Sequence, residues 1–202
     1  MSTRPASDVR GILRDRAQRF ARAESIAPAV ESAARAILRC LESGGTVWAC
    51  GNGGSATQAQ HFVAELVGRF KRERAAMRAF CLCDNISTLT AVANDYEFAD
   101  VFARQLRGLA RAGDCLVALS TSGNSENVVR ACADGRAVGV TVVALTGGSG
   151  GRVAATCDVE VRVPDDETAL IQEVHLVTIH LLCDIVEGAL VPRTGGSSPA
   201  AR

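Results

Sequence analysis

The sequence lacks any excess of charge of one sign and is poor in aromatic residues. Its 202 residues include 22 basic and 22 acidic side chains, for zero formal net charge, and 4% are Phe, Trp or Tyr. A nucleic-acid partner or an anionic membrane surface would favour a basic chain, so neither is indicated. No stretch is apolar over the length needed to span a bilayer, and the N-terminus lacks a signal-like apolar region. We therefore expect a cytoplasmic protein with no nucleic-acid or membrane partner.

The sequence also lacks a Cys-x-x-Cys motif, although it contains eight cysteines. Cysteines at that spacing would indicate a metal or redox site, and a cytosolic chain of this size does not need disulfides. We interpret the cysteines as small buried hydrophobic residues. Five lie in or beside apolar strand-like runs (Cys50, Cys81, Cys83, Cys115 and Cys157), and three lie in helical patterns (Cys40, Cys132 and Cys183).

Five short apolar runs alternate with helical patterns along the chain. The runs span 46–50, 78–83, 115–119, 140–145 and 159–163. One helix is predicted to start at 55, two to span 87–92 and 98–109, and two more to end at about 137 and about 190. The pair Asn94-Asp95 falls in the predicted break between two of these helices. Strands that alternate with helices are typical of a parallel sheet covered on both faces. The sequence therefore predicts an α/β fold with a doubly wound, five-stranded parallel sheet.

Two helices are predicted ahead of the sheet, over residues 8–43. Pro28 suits the first turn of the second helix, and Gly44 and Gly45 end it. The first helix carries a narrow apolar stripe that includes Ile12 and Leu13. Such a stripe either covers the rest of the chain or contacts another subunit, and we favour the oligomer contact. We divide the chain into N-terminal helices (1–43), an α/β domain (44–191) and a Gly-, Ser-, Pro- and Ala-rich tail (192–202) that is predicted to be disordered.

The first strand-like run leads into a glycine-rich turn, residues 51–55. Its glycines allow a sharp turn and close approach to a ligand, and Ser55 is placed to cap a helix whose N-terminus would attract an anion. On that helix His61 and Glu65 are four residues apart and share one face. The alternative is a dinucleotide site, but its nearest acidic candidate, Asp84, lies well beyond the required spacing of about twenty residues.

A serine-rich turn, Ser120-Thr-Ser-Gly-Asn-Ser125, follows the third strand-like run. Its hydroxyls, free backbone N–H groups and the positive end of the next helix favour a dianionic phosphate. No Walker lysine is present, so a small phosphorylated metabolite such as a sugar phosphate is favoured over a nucleoside triphosphate. Ligands bind at the carboxyl ends of parallel strands, so both turns are predicted to open onto the same rim.

The last predicted helix carries Gln172 and two of the three histidines, His175 and His180. We expect the helix to be capped by Asp165, Asp166 or Thr168, and its many apolar residues indicate a core helix. The two histidines differ by about 140° around the helix axis, since each residue turns it by ~100°. At most one of them faces a given site, and the spacing does not choose between them.

Five motifs, in order, resemble the phosphoheptose isomerase family. They are Cys-Gly-Asn-Gly-Gly-Ser (50–55), Gln-His-Phe-Val-Ala-Glu-Leu (60–66), Ala-Asn-Asp-Tyr (93–96), Ser-Thr-Ser-Gly-Asn-Ser (120–125) and Ile-Gln-Glu-Val-His-Leu…Ile-His (171–180). This family of sugar-isomerase (SIS) domain enzymes converts sedoheptulose 7-phosphate to D-glycero-D-manno-heptose 7-phosphate. The resemblance covers residues 17 to 192 and implies a flavodoxin-like SIS fold.

The resemblance also implies homotetramers with active sites at subunit interfaces and one zinc ion per subunit. It assigns Glu65 and His180 as base and acid, which selects His180 over His175, and it implies His61, Glu65, Gln172 and His180 as zinc ligands. Gln172 and His180 are ~12 Å apart along a straight helix, so a shared ion needs extended side chains, a bend or a second subunit. The implied substrate-binding residues are Asn52, Gly53, Gly54, Ser55, Glu65, Asn94, Asp95, Ser120, Thr121, Ser122, Ser125 and Gln172.

One residue departs from the family pattern: Leu170 stands where the family usually has arginine. Two alternatives to an enzyme exist among similar SIS proteins. One is a non-catalytic protein that binds the bacterial replication initiator DnaA and lacks the acid/base pair. The other is a sugar-phosphate sensor that carries a DNA-binding module, which we do not find in this sequence. The presence of both Glu65 and His180 favours the isomerase.

Overall fold

A computed structural model describes residues 8–191, so the predicted disordered tail at 192–202 lies outside the described residues. Seven α-helices and five strands follow one another in this part of the chain. The helices are α1 (Val9–Phe20), α2 (Ala27–Glu42), α3 (Gly54–Val67), α4 (Ile86–Asp95), α5 (Ala103–Leu109), α6 (Glu126–Ala137) and α7 (Thr168–Leu190). The strands are β1 (Val47–Cys50), β2 (Ala79–Cys81), β3 (Cys115–Ser120), β4 (Thr141–Gly147) and β5 (Val159–Val163).

The five strands form one parallel sheet in the order β2-β1-β3-β4-β5. Every residue of β1 and β3 is buried, as expected for central strands that are covered by helices on both faces. Val47 pairs with Ala79 on one side and with Cys115 on the other. The predicted doubly wound α/β fold is confirmed.

The strand order reverses between β1 and β3, and this position determines where a ligand can bind. From β1 the chain adds β2 on one side, and it then returns to add β3, β4 and β5 on the other. The connections that leave β1 and β3 therefore separate, which opens a crevice at the carboxyl ends of these two strands. The glycine-rich turn and the serine-rich turn follow these two strands.

The two N-terminal helices differ in their burial. Helix α2 buries Val30, Ala33, Ile37 and Cys40 in the core, whereas α1 has no buried residue. Side chains of α1 instead form ion pairs with the segment before α7, such as Arg16 with Glu167 at 2.7 Å.

Several element boundaries and caps differ from the predictions. The predicted helix over 98–109 is a 3₁₀ turn at Phe98–Asp100 followed by α5, and Asn94-Asp95 forms the end of α4, not a break. The side chain of Asn85 accepts a hydrogen bond from the N–H of Thr88, which starts α4 earlier than predicted. Strand β2 is short, at the edge of the sheet, and exposes Phe80.

The predicted caps of α3 and α7 were also wrong. Gly53 occupies the N-cap of α3, and Ser55 lies inside the first turn. Glu167 occupies the N-cap of α7 without a side-chain capping bond. Asp165 lies two residues before this N-cap, where it accepts a hydrogen bond from the N–H of Glu167 at 2.9 Å and pairs with Arg19 at 2.5 Å. The Arg19 guanidinium holds the pKa of Asp165 below its usual value.

Helix α7 corrects the expectation that no segment has the length and composition to cross a membrane. It is 23 residues long, and its most apolar window has a mean hydropathy of 1.6. Half of that window is buried inside the protein, where the helix packs against α2 and α3. Core packing accounts for this apolar character, and the polar residues Gln172, His175 and His180 lie within the same helix.

The eight cysteines are free thiols, as predicted, and all of them except the half-buried Cys157 are buried. Burial raises the pKa of Cys40 to about 11 and that of Cys183 to about 12. The thiols of these two residues are therefore protonated and unreactive at neutral pH.

Candidate active site

The glycine-rich turn brings the backbone sharply from β1 into α3. Gly53 has φ +54°, a left-handed conformation that favours glycine. A Cβ at Gly51 would lie 2.8 Å from the backbone of Ser55, so this position also requires a glycine. The result is a buried Ser55 in the first turn of α3, beside the carboxyl end of β1.

The serine-rich turn is folded by its own hydroxyl and backbone groups. The hydroxyls of Ser120 and Ser125 lie 3.4 Å apart, and the N–H of Asn124 donates to the hydroxyl of Ser122 at 3.2 Å. Ser125 is the N-cap of α6, but its hydroxyl makes no capping hydrogen bond. Its oxygen is therefore available to a ligand at the positive end of the helix.

A pair of asparagine side chains joins the two turns. The amide of Asn52 donates to Asn127 at 2.8 Å, and the amide of Asn127 donates back to Asn52 at 2.8 Å. Asn127 is buried in the first turn of α6. The two turns are thus held side by side at the crevice between β1 and β3.

Three side chains with metal-ligating atoms meet between α3 and α7. His61 Nε2 lies 3.0 Å from Glu65 Oε1 and 3.4 Å from His180 Nε2, and one ligand atom from each of the three lies within 4.8 Å of the others. Ligands about 2.0–2.1 Å from a tetrahedral zinc ion are roughly 3.4 Å from one another. Two imidazoles and a carboxylate at these distances fit zinc.

Gln172 lies at the other end of the contact between α3 and α7. A Cβ built on Gly54 would be 2.7 Å from the side-chain nitrogen of Gln172, and Gln58 donates to the backbone carbonyl of Gln172 at 2.6 Å. In this chain the Gln172 amide therefore lies against the glycine-rich turn, two turns of α7 before His180.

The structure distinguishes the two histidines of α7. His175 is fully buried and lies 3.0 Å from the carbonyl oxygen of Thr146. Burial lowers the pKa of His175 to about 4, so the ring is neutral at pH 7 and its Nε2–H donates to that carbonyl. His180, in contrast, is half-buried beside His61.

Asn94 and Asp95 lie exposed at the end of α4, where the amide of Asn94 donates to Asp95 at 2.8 Å. Thr121 lies on the opposite side of the crevice, where its carbonyl oxygen would be 2.9 Å from a Cβ at Gly147. Among the described residues, no side-chain hydrogen bond joins Asn94 or Asp95 to either turn, so the structure does not bring these two residues together with the rest of the predicted site.

Comparison with known proteins places this chain in a family. Residues 13–147 match the model of the SIS domain. Over 183 residues the chain is 49% identical to phosphoheptose isomerase from Rhodospirillum rubrum, which covers 91% of this chain and 97% of the relative. The chain belongs to the phosphoheptose isomerase family.

Solved structures of two members of the phosphoheptose isomerase family share the fold. The enzyme from Neisseria gonorrhoeae superposes with a TM-score of 0.84 at 42% identity, covering 89% of this chain and 97% of that one. The enzyme from Francisella tularensis gives a TM-score of 0.86 at 39% identity, covering 91% and 98%. The expected isomerase is confirmed, and the non-catalytic alternatives are not favoured.

Leu170, the departure from the phosphoheptose isomerase family pattern, is buried in the first turn of α7. At 1% exposure it serves as a core side chain. An arginine in the same place would require a partner for a buried charge.

Sequence reasoning missed Asn127, which lies two residues beyond the serine motif. An asparagine in the first turn of a helix is unremarkable by itself, because it favours helix starts in general. Only the structure pairs it with Asn52, 75 residues earlier. Asn127 is therefore a positioning residue of the site.

We predict that Asn127→Ala separates the two turns. Removing one partner of a buried hydrogen bond costs about 1–3 kcal/mol, so the free energy of unfolding in urea should fall by that amount and sugar-phosphate affinity should fall with it. Arg136→Ala, at the other end of α6, is the control and should leave affinity unchanged. Wild-type affinity in Asn127→Ala would show that the asparagine pair does not organise the site.

Proposed function

We propose that the chain interconverts sedoheptulose 7-phosphate and D-glycero-D-manno-heptose 7-phosphate through an enediolate, with Glu65 and His180 as base and acid. The observation that carries this proposal is the meeting of His61 and Glu65, on the helix that starts at the glycine-rich turn, with His180 of α7, within 4.8 Å. The family's reaction needs such a base and acid beside a phosphate site.

The substrate's phosphate is assigned to the hydroxyl groups at the crevice. The hydroxyls of Ser120 and Ser125 lie 3.4 Å apart. Ser55 and Ser122 are the other two serines proposed to bind the phosphate. Helix starts at α3 and α6 would add favourable dipoles for a dianion. The sugar is assigned to the remaining substrate-binding residues that the resemblance implies: Asn52, Gly53, Gly54, Asn94, Asp95, Thr121 and Gln172.

The reaction moves a carbonyl group from C2 to C1. Glu65 removes a proton from C1 while His180 protonates the oxygen on C2, which gives an enediol. Glu65 then returns its proton to C2, His180 takes the proton of the C1 hydroxyl, and the aldose forms. No atom is gained or lost, so the two groups end the cycle in their starting protonation states.

Zinc is the cofactor proposed for this site. It would be held by His61, Glu65 and His180, whose donor atoms fit its preferred ligands. The resemblance adds Gln172, whose side chain would have to leave Gly54 or come from another subunit. When bound, the ion would stabilise negative charge on the substrate oxygens as a Lewis acid.

The functional unit is proposed to be a cytoplasmic homotetramer with sites near subunit interfaces. Two apolar surfaces support this proposal. Helix α1 exposes Val9 and Leu13, at 59% and 62%, and an apolar groove beside α7 is lined by Phe20, Val177 and Leu181. Contact between subunits would remove these side chains from water.

Light scattering at micromolar concentration should return four chains. Leu13→Asp and Leu181→Asp place charges on the two apolar surfaces and should each reduce the mass, because burying an unpaired charge is unfavourable. The control is Glu31→Gln, on the exposed side of α2. A fully active monomer would contradict the tetramer proposal.

We expect Glu65→Gln to lower kcat by about 10²–10⁴-fold, the usual contribution of a general base. The amide keeps the shape of the carboxylate but cannot accept a proton, so sugar-phosphate binding should survive. In deuterated water the wild type should place solvent deuterium at the reprotonated carbon. His180→Asn should also be severely impaired.

Metal analysis of Glu65→Gln separates the two roles of the carboxylate. Loss of activity with zinc retained supports the role of base, whereas loss of zinc together with activity supports the role of ligand. Glu31→Gln is the matched control and should behave as the wild type. Near-normal turnover in Glu65→Gln with zinc retained would remove Glu65 as the base.

A further inference from the structure

The ring of Phe70 is stacked on the imidazole of His180 at an inclined angle. Their centroids are 5.6 Å apart, and their planes differ by 29°. The ammonium group of Lys71 lies 5.0 Å from the centroid of the Phe70 ring. His61 meets His180 edge-on, at 5.1 Å and 67°. His180 is thus bounded on one face by Phe70 and at its nitrogen by His61.

Phe70 belongs to neither a helix nor a strand, so its position depends on what holds its backbone. Glu187, two turns after His180 on α7, accepts hydrogen bonds from three successive backbone N–H groups. These are Phe70 at 3.0 Å, Lys71 at 2.8 Å and Arg72 at 2.9 Å. The carboxylate therefore fixes the segment that carries the ring to the helix that carries His180.

Arg74 completes this attachment from the side of α3. Its Nε lies 3.1 Å from Glu187, and both side chains are almost fully buried. Its guanidinium also donates to the carbonyl of Glu65 at 2.7 Å and to that of Leu66 at 2.8 Å. Both carbonyls lie at the C-terminal end of α3, where backbone carbonyls have no N–H partner within the helix.

The buried pair thus joins three parts of the site: the end of α3 beside Glu65, the segment of Phe70, and α7. Burial by itself would raise the pKa of Glu187, but its backbone donors and Arg74 hold that pKa below the usual value. A buried ion pair adds little stability over a well-packed apolar core. Its main effect here is to fix the positions of these three parts relative to one another.

We propose that Phe70 is a positioning residue for His180, and that the Arg74–Glu187 pair holds Phe70 in place. The torsion that rotates an imidazole about its Cβ–Cγ bond is broad, so α7 alone does not fix the plane of the ring. Stacking on Phe70 fixes that plane and points Nε2 at His61 and Glu65. This inference rests on the proposed function in assigning His180 as the acid.

The decisive comparison is Phe70→Leu against Phe70→Tyr. Leucine keeps an apolar side chain but loses the flat ring, whereas tyrosine keeps the ring. A misplacement of about 1 Å can lower the rate by about 10²-fold, so kcat of Phe70→Leu should fall by roughly that factor. KM should stay near the wild-type value, because the serine-rich turn is unaffected. Phe70→Tyr should restore kcat.

A second readout follows the imidazole in the zinc-free protein, without any turnover. The chain has three histidines, so their ring protons can be assigned by NMR from single substitutions. The ring current of Phe70 should shift the His180 ring protons upfield in the wild type and in Phe70→Tyr. That shift should disappear in Phe70→Leu, while His175 stays unchanged.

Phe80→Leu is the matched control. Phe80 is also a stacked aromatic residue, 5.5 Å from Trp48, but it lies on edge strand β2 and its loss should change neither kcat nor the histidine spectrum. Glu187→Gln should reproduce Phe70→Leu if it folds. If Glu187→Gln does not fold, the Phe70 variants decide whether Phe70 orients His180.

The inference is overturned if Phe70→Leu keeps the wild-type kcat, if Phe70→Tyr is as impaired as Phe70→Leu, or if His180 shows no ring-current shift in the wild type. An inactive wild type would instead contradict the proposed function. The ring-proton shifts would still decide whether Phe70 orients His180.

Discussion

The packing of α3 along α7 is the constraint on which the site depends. At one end Gly54 admits the side chain of Gln172, since a Cβ there would lie 2.7 Å from its nitrogen. In the middle His61 meets His180, and at the far end Arg74 and Glu187 join the two helices. One helix contact therefore sets the glycine-rich turn, the histidine cluster and the Phe70 segment relative to one another.

The second element of the site depends on the sheet. The order β2-β1-β3-β4-β5 separates the connections after β1 and β3, and Asn52 and Asn127 then bridge the gap. Three of the hydroxyls proposed to bind phosphate, those of Ser120, Ser122 and Ser125, come from the β3 side, whereas Ser55 and the proposed base come from the β1 side. The reversal of strand order thus brings together groups that are distant in the sequence.

The sheet and its central strands could be predicted because buried parallel strands appear as continuous apolar runs, such as Cys115–Leu119. That the two turns meet at one rim could be predicted, because the carboxyl ends of parallel strands lie at the same edge of a sheet. Phe70, Arg74, Glu187 and Asn127 could not, because their roles depend on partners up to 117 residues away. The caps of α3 and α7 were mispredicted because the two helices begin one residue after Gly53 and Glu167, so Ser55 lies inside its helix and Asp165 lies two residues before the N-cap.

The central claim is that this fold and cluster perform an aldose–ketose isomerisation, and the most direct measurement is the reaction itself. Purified, zinc-loaded protein should be incubated with sedoheptulose 7-phosphate and followed by NMR. Our account predicts new aldose signals of D-glycero-D-manno-heptose 7-phosphate, with the phosphate ester intact. Stoichiometric binding of the ketose with no aldose formed would contradict it.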